Sequence, residues 1–429
     1  MLETLFRLRE NGTGLRTELL AGVTTYLAMS YIALVNPQIL GAAGMDKGAV
    51  FVATCLASAL ATLVMALYAN YPLALAPGMG MNAYFTYSVV QGLHYPWQTA
   101  LGAVFLSGVL FLALSLSRVR EWLIAAIPLS QKIAISAGIG LFLGIIALED
   151  AGIVAASPAT LVTLGNLKAP ATLLAAAGFV VIVALDRRAV PGAIVIGILA
   201  TAAAGMLLGV SPFAGIASLP PSLAPTLFKL DLKAALDLGV ATIVFVFLFV
   251  DLFDNTGTLV GVAWRAGLVR ADGTIPRLGR VLLADSAAAM AGAVLGTSTV
   301  TSYIESAAGV RAGGRTGLVG VTVAALFLLT LLFAPLAASV PVYATAPALL
   351  FVACLMARGL AELDWDDATE YAPAMVTALT MPLTFSIANG IAFGFVTYAA
   401  AKLLSGRFAE ARPSLVGLAL LFIAKYAFF

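Results

Sequence analysis

The chain has 429 residues and a net charge of +2, with 62% hydrophobic and only 10% charged residues. A soluble domain carries about 25% charged residues, because its surface has to face water. The composition therefore excludes a soluble globular protein and predicts an all-α, polytopic membrane protein. At about 20 residues per span, such a chain has room for about 12 to 14 transmembrane segments.

The chain begins with a charged segment, MLETLFRLRENGTGLRTELL, which mixes arginines and glutamates before any apolar run. A cleavable signal peptide has a positive start and a short apolar core, so we expect the first span to be retained. Apolar runs then predict fourteen spans, near 18–40, 49–69, 76–91, 97–117, 130–148, 171–186, 191–209, 236–261, 281–295, 301–312, 315–337, 342–358, 371–387 and 389–404. A last apolar stretch, 414–428, is expected either to lie on the membrane or to cross it.

The distribution of Lys and Arg predicts the orientation of these spans. With a cytoplasmic N-terminus, eighteen of these residues fall in cytoplasmic segments and four fall on the outer side. Cytoplasmic loops of membrane proteins carry such an excess. We therefore expect a multi-pass protein of the plasma (cell inner) membrane with both termini in the cytoplasm.

The two halves of the chain resemble each other in the same order. The segment IPLSQKIAISAGIGLFLGIIAL at 127–148 aligns with VPVYATAPALLFVACLMARGLA at 340–361. Two further pairs follow, 170–185 with 372–387 and 190–209 with 388–406. Seven spans separate the partners, so the two copies have opposite orientations. Such an inverted repeat is typical of secondary transporters, which hold their substrate at the repeat interface near the middle of the bilayer.

The third and tenth spans correspond in this repeat, and both are unusual. NYPLALAPGMGMNAYFTYSVV at 70–90 and LGTSTVTSYIESAAGV at 295–310 each start with an extended stretch and continue as a short helix. Asn82 and Ser302 stand where the helices are predicted to begin. Backbone groups at membrane depth have to pair inside the protein. We therefore expect two short β-strands that pair between the repeats and direct two helix N-termini, each worth about +0.5 charge, at one central point.

Carboxylates cluster in the eighth and tenth spans. Asp251 and Asp254 are three residues apart, so they share one face of a helix, and Asn255 extends that face. A charged side chain at the bilayer centre costs about 2.5–3.5 kcal/mol, which favours a functional site for these residues and for Glu305. The alternatives are a buried structural network or, in the spacing Ser302-x-x-Glu305, a capping box. Asp285 is expected to be interfacial and structural.

The residue types of this site indicate its ligand. Carboxylates accept hydrogen bonds from N–H donors, and crowded carboxylates in a low dielectric hold protons more readily, so at least one is a candidate proton carrier. The predicted site contains no Lys or Arg as counter-ion for an anion. It suits a neutral, flat, N–H-rich molecule, with Asn82 as amide partner and Phe85, Tyr84 or Tyr303 able to stack on it.

Four motifs carry a resemblance to a known family: AGVTTYLAMSYIALVNP at 21–37, APGMGMNAYF, FVDLFDNTGTL and TSTVTSYIESAAGVRAGGRTG. With them the chain resembles the AzgA-like purine permeases of the nucleobase–cation symporter-2 (nucleobase/ascorbate transporter) superfamily over nearly its whole length. The resemblance implies fourteen spans in a seven-plus-seven inverted repeat. It implies a core domain at 1–120 and 234–338 and a gate domain at 121–233 and 339–429.

The resemblance also implies proton-coupled uptake of guanine, hypoxanthine or adenine by alternating access. The proton is the coupling ion, no cofactor or metal is expected, and the partners are the purine, the bilayer and, through the gate domain, a second copy of the chain. No nucleic-acid partner is expected.

The family's functional residues match positions of this sequence. Asn82 matches a substrate contact, and Gly80 matches a required glycine. Asp251 matches a substrate-binding carboxylate, and Asp254 matches the acid tied to proton coupling. Glu305 matches the carboxylate that grips the purine ring, and we assign it to proton coupling as well. The remaining candidates are Ser302, Tyr303 and Phe85 for substrate binding and Asn255 for the structure of the translocation path.

Three other functions are open at this point. An anion transporter for sulfate or bicarbonate shares the architecture, but three site carboxylates argue against it. A superfamily member for uracil or xanthine is disfavoured by the Asp-x-x-Asp spacing. A membrane-embedded enzyme is disfavoured because His94 is the only histidine, and Cys55 and Cys354 lie in separate apolar runs, so that neither a metal site nor a disulfide is expected.

Overall fold

A computed structural model describes residues 2–116, 127–158, 160–266, 268 and 275–428. Its helices are α1 Leu2–Phe6, α2 Leu15–Met29, α3 Ile32–Ala42, α4 Lys47–Val64, α5 Met79–Ala83, α6 Trp97–Leu116, α7 Leu129–Asp150, α8 Pro170–Arg187, α9 Ala193–Leu207, α10 Leu232–Ala235, α11 Leu238–Arg265, α12 Leu278–Leu295, α13 Ser306–Arg311, α14 Leu318–Thr330, α15 Ala334–Ala338, α16 Val342–Ala357, α17 Ala368–Leu383, α18 Ile387–Leu404 and α19 Pro413–Phe428. The strands are β1 Leu75–Pro77, β2 Val154–Ser157, β3 Leu161–Leu164 and β4 Val300–Ser302. Two π-helical turns, Met65–Ala69 and Tyr84–Gly92, extend α4 and α5.

The described helices account for the fourteen predicted spans. Within the described ranges, nine helical segments are long and apolar enough to cross a membrane. Two more spans are the broken segments β1–α5 and β4–α13. Three others, α9, α11 and α17, occupy the predicted positions of the seventh, eighth and thirteenth spans. A short hairpin of β2 and β3, which the sequence reading did not predict, lies between α7 and α8.

The two broken spans meet as predicted, through an antiparallel strand pair. Leu75 pairs with Ser302, Ala76 with Thr301 and Pro77 with Val300, and all six residues are buried. The β-branched Val300 and Thr301 favour extended backbone, and the partner strand satisfies the backbone groups that lipid cannot. The prediction of short strands in the third and tenth spans is confirmed.

The helices pack as two groups. In one group, α7 packs against α16 and α17, α17 packs against α18, and α8 packs against α9 and α16. In the other, α4 packs against α3, α12 and α14, α2 packs against α13 and α14, and α6 packs against α11 and α12. The domain boundaries near residues 120, 233 and 338 stay a prediction.

The segment that leads into α14 is held by side chains from two other elements. Glu18 of α2 is fully buried and accepts hydrogen bonds from the Arg315 N–H at 2.7 Å and the Thr316 hydroxyl at 2.7 Å. Asn70 Oδ1 accepts from the Gly317 N–H at 2.7 Å. The first N–H groups of a helix have no partner inside it and carry partial positive charge. Asn70 thus satisfies the N–H group of the N-cap residue, while Glu18 joins the first span to the segment before α14.

Gly317 allows the backbones of α14 and α4 to approach each other. A Cβ atom at this position would lie 2.1 Å from the Ala66 carbonyl oxygen, which is too close for any rotamer change to relieve. We expect Gly317→Ala to destabilise the fold by about 1–3 kcal/mol, seen as a lower unfolding temperature of the purified protein in detergent. Gly279→Ala is the control, because a Cβ at Gly279 meets nothing within 4 Å. Equal unfolding temperatures for the two variants would contradict this expectation.

Candidate functional site

The paired strands fix the position of the two half-helices that follow them. The ladder continues at both ends, where the Gly78 N–H donates to the Thr299 carbonyl and the Tyr303 N–H donates to the Ala74 carbonyl, each at 2.9 Å. Because the strands are antiparallel, α5 and α13 leave the pair in opposite directions. Helix α11 packs against both half-helices and so brings the eighth span to the same place.

Asn82 lies on α5 and is fully buried. Its Oδ1 accepts a hydrogen bond from the Ser298 hydroxyl, just before β4. Its Nδ2 has no hydrogen-bond partner among the described residues. Since a buried donor without a partner costs about 1–3 kcal/mol, this amide is well suited to donate to a ligand that carries an acceptor.

Glu305 stands at the N-cap of α13 and is half-buried. Its Oε1 accepts a hydrogen bond of 2.8 Å from the Tyr31 hydroxyl, and its side chain makes no capping bond to the helix. The capping-box alternative is therefore wrong. The physical reason is the strand pair, which holds Ser302 in β4, opposite Leu75, so that the helix starts three residues later than a capping box at Ser302 requires.

Ser302 is hydrogen-bonded to Asp285, a carboxylate whose location was predicted wrongly from the sequence. Its hydroxyl donates to Asp285 Oδ1 at 3.2 Å, and Asp285 is fully buried on α12. The expectation of an interfacial Asp285 is wrong, because the side chain is buried inside the protein and bonded to the strand pair. The signal in the sequence is an acid inside LLADSAAAMAGA, a run of small residues that allows close helix packing.

Helix α11 carries the remaining polar candidates. Asp251 is 2% exposed, and Asn255, one turn further on the same face, is fully buried. Both side-chain atoms of Asn255 lack a hydrogen-bond partner among the described residues. The backbone of Asp254 belongs to α11, but its side chain lies outside the described residues. The structure thus places Asp251 and Asn255 on the helix that contacts both half-helices.

The aromatic side chains that were predicted to stack on the ligand make contacts within the protein. The Tyr303 hydroxyl donates to the Pro77 carbonyl at 2.6 Å, so this ring is tied to β1. Tyr84 packs edge-to-face on Phe247 with ring centroids 5.0 Å apart. Phe85 is fully buried in the hydrophobic core. Tyr303 is therefore the predicted aromatic side chain with the firmest link to the strand pair.

Gly80 lies in the first turn of α5, against α7. A Cβ atom there would lie 2.4 Å from Ile139 Cγ2. Gly80, which was predicted to have a structural role in the translocation path, thus allows α5 to approach α7, a helix of the other packing group.

Tyr31 is a site residue that sequence reasoning missed. It is 1% exposed and stands in the short interruption between α2 and α3, at the N-cap of α3. Its hydroxyl donates to Glu305. The only signal in AMSYIALVNP is one aromatic hydroxyl inside an apolar run, and such residues are common in membrane helices.

We expect Tyr31→Phe to raise the KM for substrate roughly tenfold, because a hydrogen bond to a charged group contributes about 1.5–3 kcal/mol. Tyr26→Phe is the matched control, since it makes the same change on the same span but its hydroxyl bonds Thr330. Kinetics of uptake and the amount of protein in the membrane are the measurements. Identical KM values for the two variants would contradict a positioning role for Tyr31.

Comparison with known proteins identifies the family. The model of the Permease family (Xan_ur_permease) matches residues 16–393. The chain belongs to this permease family. The family consists of membrane transporters, so the alternative of a membrane-embedded enzyme is excluded.

Full-length relatives support the assignment of this permease. It is 48% identical to adenine permease AdeP of Escherichia coli (strain K12) over 428 residues, which cover 100% of this chain and 96% of AdeP. It is 45% identical to guanine/hypoxanthine permease PbuG of Bacillus subtilis (strain 168) over 439 residues, covering 100% of both chains.

A solved structure supports the fold of the permease. The transmembrane domain of a cyanobacterium bicarbonate transporter, BicA, matches with a TM-score of 0.66 and 18% identity over 89% of this chain and 97% of that chain. At this identity the likeness concerns the fold alone. It confirms the predicted seven-plus-seven inverted repeat.

Proposed function

We propose that this permease imports purine nucleobases across the plasma membrane by proton-coupled symport with alternating access. The observation that carries the proposal is the strand pair, from which the half-helices with Asn82 and Glu305 start, together with the packing of α11, which carries Asp251, against both half-helices. The names of the full-length relatives AdeP and PbuG, adenine and guanine/hypoxanthine permeases, support purines as the cargo.

The chemistry of these groups matches a purine. Glu305 and Asp251 are hydrogen-bond acceptors for ring and exocyclic N–H groups when ionised, and the Asn82 amide is a donor for a ring nitrogen or a carbonyl oxygen. Bonds to an ionised carboxylate are roughly twice as strong as neutral ones. A neutral base with several N–H groups therefore gains more here than an anion, which the carboxylates repel.

Transport of a different cargo, either an anion or another nucleobase, is the second candidate function. The BicA fold is compatible with bicarbonate or sulfate, and the wider superfamily includes uracil and xanthine transporters. The carboxylates disfavour an anion, and the relatives favour purines over uracil.

The two packing groups of helices support a core domain that moves against a gate domain, because the site lies where α5 and α11 of one group approach α7 of the other.

The test is uptake of labelled hypoxanthine, guanine and adenine into proteoliposomes, with and without a proton gradient directed inward. Uptake that is driven by the gradient, with the three bases competing, supports the proposal and ranks the substrates. Flux of sulfate or bicarbonate without purine uptake overturns the cargo. Purine uptake that is indifferent to the gradient overturns the coupling.

Asp254→Asn is expected to separate coupling from binding. The amide keeps the size of the side chain but cannot carry a proton, so the gradient should no longer drive accumulation while purine binding persists. Binding measured by calorimetry and gradient-driven uptake measured on the same preparation check this. Asp186→Asn, the same chemical change at an exposed position near the end of α8, is the control. Accumulation equal to wild type in Asp254→Asn would contradict the assignment.

A further inference from the structure

The last helix, α19, follows the fourteen predicted spans, and it has one buried face. Leu415, Ala419 and Phe422 recur at the spacing of one helix face and are 1%, 3% and 6% exposed. Leu420, Leu421 and Ile423, on the other side, are 60%, 68% and 48% exposed. The helix therefore packs on the protein with one stripe and presents an apolar surface outward.

The start of α19 is fixed to the end of α18. Lys402, in the last turn of α18, is fully buried, and its Nζ lies 2.6 Å from Glu410 Oε2 and 2.6 Å from Glu370 Oε1. Arg407 donates to Asp367 and holds the pKa of that carboxyl well below its usual range. These ion pairs join the segment before α19 to the first turn of α17 and the last turn of α18.

The far end of α19 contacts the opposite end of α18. Phe422 lies 6.3 Å from Phe395 between ring centroids. Tyr426 stacks on Phe393 at 5.6 Å, and its hydroxyl donates to Asn389 Oδ1 at 2.6 Å. Asn389 is in the first turn of α18. From Asn389 to Lys402 the contact covers thirteen residues, or about 20 Å at 1.5 Å per residue.

This length favours one of the two arrangements open to a terminal apolar helix. A helix that lies on the membrane surface runs across the spans and touches only one end of each. Helix α19 instead runs antiparallel to α18 along most of its length, and α18 is long and apolar enough to cross the bilayer. The residues of α19 up to Ala424 include no charged side chain, so the helix can face lipid.

Hydrogen bonds between elements show which face of the protein the far end reaches. The turn between α17 and α18 accepts a bond at the Phe385 carbonyl from the Ser88 hydroxyl at 2.8 Å. In the same π-helical segment, Gln91 donates to the Ala42 carbonyl at the end of α3 at 3.0 Å. The start of α18, and with it the end of α19, therefore lies on the face of the α3–α4 connection.

We propose that α19 is a fifteenth transmembrane segment, which places the end of α19 on the opposite side of the membrane from the start of α2. This proposal departs from the sequence prediction of two cytoplasmic termini, which stays a prediction. The proposal is independent of the cargo. Phe422 also lies 6.5 Å from Phe245 of α11, so the helix packs against the span that carries Asp251 as well as against α18.

Single cysteines in a Cys55→Ala, Cys354→Ala background test the proposal in the full chain. Ala427→Cys reports the end of α19, Ala42→Cys reports the α3–α4 face, and Phe408→Cys reports the segment before α19; all three positions are exposed. Each variant is treated with a membrane-impermeant maleimide in intact cells and in inverted vesicles. We expect Ala427→Cys to react from the same side as Ala42→Cys and from the side opposite to Phe408→Cys.

Reaction of Ala427→Cys from the side of Phe408→Cys would overturn the proposal. If lipid shields position 427 from the reagent on both sides, a reporter fused after residue 429 decides. Alkaline phosphatase, which folds only outside the cytoplasm, should be active and green fluorescent protein should be dark. The reverse pattern places the end of α19 in the cytoplasm and removes the fifteenth span, whatever the permease transports.

Discussion

Glu305→Gln is expected to abolish measurable purine binding while the protein still folds. The change keeps the shape of the side chain, and its amide oxygen can still accept the hydrogen bond that the Tyr31 hydroxyl gives to Glu305. It removes the negative charge and replaces one acceptor by an NH₂ donor, which faces the N–H groups of a purine. Truncating one partner of a buried, charged hydrogen bond costs about 2–5 kcal/mol.

A loss of 2 kcal/mol is about thirtyfold in affinity, and the upper end of the range takes binding out of reach of most assays. Calorimetric titration with hypoxanthine, guanine and adenine measures it on purified protein. Asp251→Asn makes the same chemical change on α11 and should behave alike. Tyr31→Phe keeps the carboxylate and should lose less. Wild-type affinity in Glu305→Gln would count against this site.

The parts of the fold that the sequence predicted rest on strong local signals. Long apolar runs are a consequence of the bilayer's thickness, so the spans were accessible. The strand pair was accessible because Pro72 and Pro77 on one side and the β-branched run at Thr299–Thr301 on the other disfavour helix at membrane depth. The inverted repeat then indicated that the two extended stretches meet.

The parts that were missed depend on which side of a helix faces the protein. In a membrane helix both faces are apolar, so hydropathy cannot show that Asp285 faces inward rather than toward the interface. Tyr31 lies 274 residues before Glu305, and its hydrogen bond joins the first and tenth spans, a contact that no local pattern encodes. The course of α19 follows from contacts with α18 that no periodicity encodes.

Gly80→Ala is expected to reduce uptake strongly, and Ile139 offers a way to show why. The new Cβ would lie 2.4 Å from Ile139 Cγ2, a methyl on a β-branched side chain that cannot rotate away freely. Overpacking of this kind costs about 1–3 kcal/mol. Here it acts between α5 and α7, which belong to different packing groups, so the clash should hinder their relative movement and lower the maximal rate of uptake.

Ile139→Ala removes the obstructing methyl, so the double variant should recover much of the uptake that Gly80→Ala loses. Residues in contact show such coupling in a double-mutant cycle, whereas independent sites simply add. Uptake rates and protein levels for the two single variants and the double variant give the coupling directly. Wild-type uptake in Gly80→Ala, or a double variant with the sum of both losses, would show that the close approach of α5 to α7 does not limit transport.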